Sequence, residues 1–185
     1  MSDADISRIW GIDPGSRHLA ACRADGEVSV VVDRIGKGAK TEGLGAFIGR
    51  VVNSLEREFA CEEVIVAIEH QFDKSPGKPL ERIQHILEWE LGQGHSRTVL
   101  RINPSSFKIW VCDVGNAKES LLWPTIEQNR ASGKYPSAFK EIVDEHVTEA
   151  GLMGLMVSDW IAHGQGRSHG LHGYTRGLTT VRPAW

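Results

Sequence analysis

Cysteine is scarce in this 185-residue chain: Cys22, Cys61 and Cys112 are odd in number and widely spaced, which excludes a disulfide framework and a paired zinc knuckle. They are expected as reduced, mostly buried thiols. No stretch approaches the roughly 18 uninterrupted apolar residues of a membrane span. The opening MSDADISR lacks the basic-then-apolar layout of a secretory signal. The expectation is a cytoplasmic protein without a membrane partner. Basic excess is missing too. With a formal net charge of −3 and a pI near 6.2, bulk charge does not drive nucleic-acid binding, because nonspecific affinity arises from Lys and Arg neutralising phosphates. Any nucleic-acid site has to be a local basic patch. That suits an active centre made of carboxylates, whose acids enter the count while a metal neutralises them.

What is present is a hydrophobic content of 41%, enough for one good core in a chain too short for two ordinary domains. Residues 1–163 read as that domain. Residues 164–185, rich in Gly, His and Arg with weak periodicity, read as a flexible C-terminal tail. His163 at its border and its His169 and His172 match no zinc spacing, and its Arg167, Arg176 and Arg182 are candidates for phosphate contacts.

Arg8–Ile12 runs apolar into Asp13-Pro14-Gly15, a strand ending at a turn. Leu19–Arg23 and Val28–Val32, joined by Asp25-Gly26, continue it as a hairpin. The spacing of Leu44, Phe47, Ile48, Val51, Val52 and Leu55 predicts a helix from about 42 to 59. Val64–Ile68 is a continuous apolar run, a strand buried on both faces that ends at Glu69. Breakers from Asp73 to Pro79 make a loop, followed by a helix from Leu80 to Gly92 and a strand from Thr98 to Ile102. Asn103 caps a short helix; another runs to about Gln128, a polar loop spans Ala131–Ser137, and a last element covers Phe139–Ala162. The order predicts an α/β fold: a five-stranded mixed sheet, three antiparallel strands then two parallel ones, flanked by helices. Functional side chains then belong at the carboxyl ends of adjacent strands, where Asp13 and Glu69 stand.

Two divalent ions about 4 Å apart assist in-line hydrolysis of a phosphodiester, and hard cations such as Mg2+ require several oxygen ligands at one point. Asp13 and Glu69 offer two carboxylates; Asp144, Glu145, His146 and Glu149 offer more from the last helix. His146 and Glu149 are three residues apart and Glu145 and Glu149 four, so either pair shares one helical face.

Gly11-Ile12-Asp13-Pro14-Gly15-Ser16-Arg17, then Ala67-Ile68-Glu69-His70-Gln71-Phe72, then His146-Val147-Thr148-Glu149-Ala150 together resemble, in order, the RuvC-type Holliday junction resolvases, a family of the RNase H-like nuclease superfamily. The resemblance covers about residues 8–163. It implies four metal-site residues, Asp13, Glu69, His146 and Glu149, holding two Mg2+ or Mn2+ ions, with Glu145 or Asp144 as alternates for the third. The family usually has Asp where Glu149 stands, one methylene shorter. The resemblance also implies Lys108 and Lys118 as phosphate-contacting cations, Lys118 acting in catalysis, since a cation beside the scissile phosphate offsets developing charge. Ser16 and Arg17 belong to the same DNA-facing turn. Phe72 stands where the family has an aromatic that pushes into the junction; stacking on an unpaired base contributes about 1–3 kcal/mol.

The implied activity is a structure-selective endodeoxyribonuclease that resolves four-way junctions by paired nicks in DNA recombination and repair. Its implied partners are branched DNA and a second copy in a two-fold homodimer, with association to the nucleoid while on DNA. A flap or fork endonuclease on the same fold and a noncatalytic junction-binding protein are the alternatives. A phosphate-binding ATPase fragment of the actin and sugar-kinase type also begins with a signature like Asp13 to Ser16, but such proteins need two such domains and far more residues.

Overall fold

A computed structural model describes residues 6–37, 40–59, 63–70, 79–93, 97–162 and 179–181. Three strands come first: β1 (Ile9–Asp13), β2 (His18–Arg23) and β3 (Ser29–Asp33). Helix α1 (Leu44–Phe59) leads to β4 (Val64–Glu69), α2 (Pro79–Gly92) and β5 (Arg97–Ile102). Helices α3 (Pro104–Cys112) and α4 (Glu119–Ala131), a 3-10 turn (Ser137–Lys140) and α5 (Glu145–Ala162) follow. The strands lie in the order β3-β2-β1-β4-β5. The first three are antiparallel, and β4 joins β1 and β5 in parallel. No described helix is long and apolar enough to cross a membrane.

The alternation of side chains along each strand divides the core. Trp10, Ile12, Leu19, Ala21, Val66 and Ile68 face α1 and α2, where Phe47, Ile48, Leu55, Ile83 and Leu87 meet them. Each such fully buried side chain contributes about 1.5–3 kcal/mol. The odd residues of β1 and β4 point the other way, so Ile9 and Ala67 join Leu152, Met153 and Met156 of α5. The residues that follow in the same alternation, Asp13 and Glu69, end on that α5 face.

Three departures from the sequence pattern appear. The sheet is one strand wider than expected, because β6 (Thr179–Val181) pairs antiparallel with β5. A three-residue strand inside a Gly-rich segment is too short to leave a periodic signal. The rest of the tail lies outside the described residues, as does the expectation of its flexibility. Secondly, the last element is two. Phe139 belongs to the 3-10 turn, fully buried against Gly26 and Gly151, and the helix begins only at Glu145. Asp144 caps it: Val147 N donates to Asp144 Oδ1 at 3.0 Å and Thr148 N to Asp144 O at 3.0 Å. The apolar spacing of Phe139, Ile142 and Val143 only mimics a helical turn. Thirdly, Tyr135, expected in a polar loop, is buried and stacked on Trp110 at 6.0 Å.

Candidate active site

The register sets the first pair of acids side by side. Ile12 pairs with Ile68 across the parallel β1–β4 ladder, and one step further both strands end in a carboxylate, Asp13 and Glu69. Helix α5 then comes unusually close. A Cβ on Gly11 would stand 1.7 Å from the Ala150 carbonyl oxygen, and one on Gly154 would stand 3.2 Å from Gly11 N. Only glycine permits this backbone contact. It fixes Ala150 over Gly11, which brings His146 and Glu149, in the first turns of α5, to the ends of β1 and β4.

His146 Nδ1 donates to Asp13 Oδ2 at 2.6 Å, with 58% of the His146 side chain exposed against 13% of Asp13. The Glu69 carboxyl stands close enough to Asp13 for each to shift the other's protonation. Burial pushes the Asp13 carboxyl up from its ordinary value, against the hydrogen bond and charge of His146, the charge of His18 and the Glu69 contact. Glu69 is pushed up to about 7 by burial and then by the charges of Asp13 and Glu149, with Lys108 pulling the other way. Glu149 also rises to about 7, through burial and Asp13, with His146 and Lys108 opposing. For His146, burial alone depresses the imidazole; the Asp13 hydrogen bond and the charges of Asp13, Asp144 and Glu149 outweigh it and raise the pKa. Three carboxyl groups thus repel one another in a partly dry setting.

This donor set, mostly oxygen with one imidazole, fits Mg2+ or Mn2+, and the mutual repulsion is of the kind a divalent cation relieves. Among the described residues no three such groups are already disposed as a metal cage. Asp13 is hydrogen-bonded to His146 with Glu69 beside it, so the donors are held on one another.

Of the other residues singled out, Lys108 is half-buried and its charge reaches both Glu69 and Glu149. Lys118 is exposed at the N-cap of α4, and its side chain makes no hydrogen bond or ion pair among the described residues. Ser16 and Arg17 are exposed on the turn beyond Asp13. Asp144 serves as the α5 cap, and Glu145 is exposed, its charge adding to the rise of Glu149. Phe72 lies outside the described residues.

Sequence reasoning missed His18. Its Nδ1 lies 2.7 Å from Asp33 Oδ1, and its ring centroid is 5.0 Å from that of His146. The available signal was alternation along β2, since Ala20 and Cys22 pack against Val147 and Ala150 of α5; His18 is the next residue on that face. Also missed was a polar cluster on the opposite face of the sheet, in which Glu88 of α2 is 3% exposed and accepts from Arg101 at 2.9 and 2.7 Å.

Comparison with protein-family models and with curated proteins gives no match. Among solved structures the chain is similar to a Thermus thermophilus RuvC structure, at 18% identity and a TM-score of 0.55, over 93% of this chain and 98% of that one. It is also similar to T. thermophilus RuvC in complex with Holliday junction substrate, at 15% identity and a TM-score of 0.59, over 84% of this chain and 94% of that one. With the strand order and the mixed pairing, these likenesses establish that the chain has an RNase H-like fold of the kind RuvC has.

Proposed function

We propose that the chain is a divalent-metal-dependent endodeoxyribonuclease that nicks four-way DNA junctions. The observation that carries the reading is the meeting of Asp13, Glu69 and Glu149 with His146 at the strand ends, two of the acids raised to about 7. The likeness to RuvC bound to Holliday junction substrate supports the substrate class.

Asp13, Glu69 and Glu149, with His146, would hold the ions. Bound there, Mg2+ or Mn2+ supplies Lewis acidity that activates water and stabilises the leaving oxygen. The chain's own residues do the rest. The three carboxylates fix the charge against which the scissile phosphate is oriented. His146, hydrogen-bonded through Nδ1, is placed to move a proton at the edge of the site. Lys108 offsets negative charge on the phosphate, in the role where Glu69 and Glu149 already feel it. Lys118, Arg17 and Ser16 contact the DNA backbone, positioning it without reading bases, and Phe72 stacks in the junction. Paired nicks need two such sites, so the working unit is an isologous homodimer.

The test is incubation of purified protein with labelled four-way, flap, fork and linear DNA, each with Mg2+, Mn2+ or EDTA. Metal-dependent symmetric nicks confined to the four-way substrate are expected. Cutting of flaps or forks instead makes the chain a different branched-DNA endonuclease; binding of junctions that stay intact with both metals makes it a noncatalytic binder.

A further inference from the structure

We propose that His18, held by Asp33, is the positioning residue for His146 and so for the α5 side of the metal site. The proposal rests on the nuclease reading in one respect, that His146 works at a metal site.

Of the four clustered residues His146 is the one the fold grips least. Its side chain is 58% exposed, and the hydrogen bond that aims it ends on Asp13 Oδ2, an oxygen that is itself a prospective metal ligand. Once Asp13 turns to a cation, that bond is contested. The neighbour that remains is the His18 ring, tilted 47° to the His146 ring with centroids 5.0 Å apart.

His18 is itself well fixed. Its backbone closes the Pro14-Gly15 turn so tightly that a Cβ on Gly15 would stand 1.9 Å from the His18 carbonyl oxygen. Asp33 Oδ1, on the neighbouring strand, accepts from His18 Nδ1 at 2.7 Å, which sets the ring plane. The other nitrogen, Nε2, is buried without a hydrogen bond and lies 3.6 Å from Asp144 Oδ2. Asp144 is the cap of α5, two residues before His146. One imidazole therefore spans β3, β2 and the start of α5, and packs on the ring that must be aimed. Partners behind a metal ligand commonly alter metal affinity by about 10–100-fold.

The experiment compares the full chain with His18→Ala and Asp33→Asn. Asp33 is largely exposed, so its variant tests the idea even where His18→Ala fails to fold. The first measurement is the ring 15N shifts of His146 in metal-free protein, which report its tautomer and hydrogen bonding. The second is Mn2+ affinity by calorimetry without DNA. Displaced His146 shifts in both variants are expected, with Mn2+ affinity down about tenfold in His18→Ala and less in Asp33→Asn. In a nicking assay kcat falls while the KM for junction DNA holds. Unchanged His146 shifts overturn the proposal, and so does a displaced ring with wild-type Mn2+ affinity. If the wild-type chain binds no Mn2+ and cuts no DNA, the nuclease reading fails by itself, and the metal-free spectra still decide whether His18 aims His146.

Discussion

Two clusters of buried acid lie on opposite faces of the same sheet, and the fold treats them differently. On the α2 side, Glu88 accepts a two-pronged hydrogen bond from Arg101 and another from His70 Nδ1 at 3.1 Å. Burial lowers the His70 pKa, against the pull of Glu88, so the ring is a neutral donor. The nearby Gln84 side chain donates to the Glu69 carbonyl at 3.0 Å, which ties the same network to the end of β4. On the α5 side, Asp13, Glu69 and Glu149 face one another with His146 at one edge and Lys108 acting at longer range. A buried charge is tolerated when paired. The first cluster is neutralised from within and holds α2 to β5. The second keeps its repulsion, which lowers stability and suits a site that takes up cations.

The largest effect expected from this contrast is on activity. Glu69→Gln should cut nicking by about 10³-fold, preserve junction binding, and raise the melting temperature of metal-free protein at pH 8, because it removes repelling charge. Asp13→Asn should likewise abolish nicking and spare binding, and wild-type cleavage by either variant would sink the metal assignment. Glu88→Gln should do the reverse. Arg101, 27% exposed, loses its counter-charge, and urea titration should show a loss of about 2 kcal/mol with Mn2+ affinity nearly unchanged. Equal destabilisation by Glu69→Gln and Glu88→Gln would break the comparison.

A smaller effect follows from pH. Glu69 and Glu149 ionise near 4.5 when unfolded and at about 7 when folded. Between those values the folded chain binds more protons, so metal-free stability falls as pH rises from about 4.5 to about 7 and levels off above. Mn2+ should restore the melting temperature more at pH 8 than at pH 5. Calorimetric melts at both values check this. A metal effect of the same size at each would mean that the ion sits away from these carboxyls.

Much of this was legible in the sequence, for physical reasons that also explain the gaps. Strand alternation and the apolar run Val64–Ile68 expose β1 and β4, and each ends in an acid whose neighbours leave it no partner. His146 and Glu149 are readable from helical spacing. The start of α5 was not, because Phe139 and Ile142 are apolar for a tertiary reason: Phe139 plugs against Gly26 and Gly151, and Ile142 packs on the core beside α5. Asp144, an alternate ligand by spacing, is the cap of that helix. Glycines 11, 151 and 154 look like helix or strand breakers, yet they are where α5 touches the sheet. Glu88 and Arg101 are 13 residues apart and ordinary by type; only the packing of α2 against β5 brings them together.

The smallest effect sharpens the contrast from outside both clusters. Glu42 accepts from Arg50 at 2.9 and 2.7 Å and from Ile35 N at 3.2 Å. The Arg50 hydrogen bonds, joined by the Ile35 contact and the charges of Arg50 and Arg34, outweigh the opposing effect of burial and hold the Glu42 carboxyl down at about 2. Its stabilisation is present above pH 4.5 and lost as pH falls towards 2, the opposite sense to Glu69 and Glu149. Arg50 is 39% exposed, so salt screens the pair and the effect is modest. Glu42→Gln should therefore flatten only the acid limb of the melting-temperature profile, and Glu69→Gln only the limb from about 4.5 to 7. The two limbs are independent because the groups belong to different surroundings: one carboxylate has its cation built in, and the other has carboxylates for neighbours. If Glu42→Gln leaves the acid limb intact, that limb belongs to another acid, and the pairing with Arg50 contributes nothing measurable to the fold.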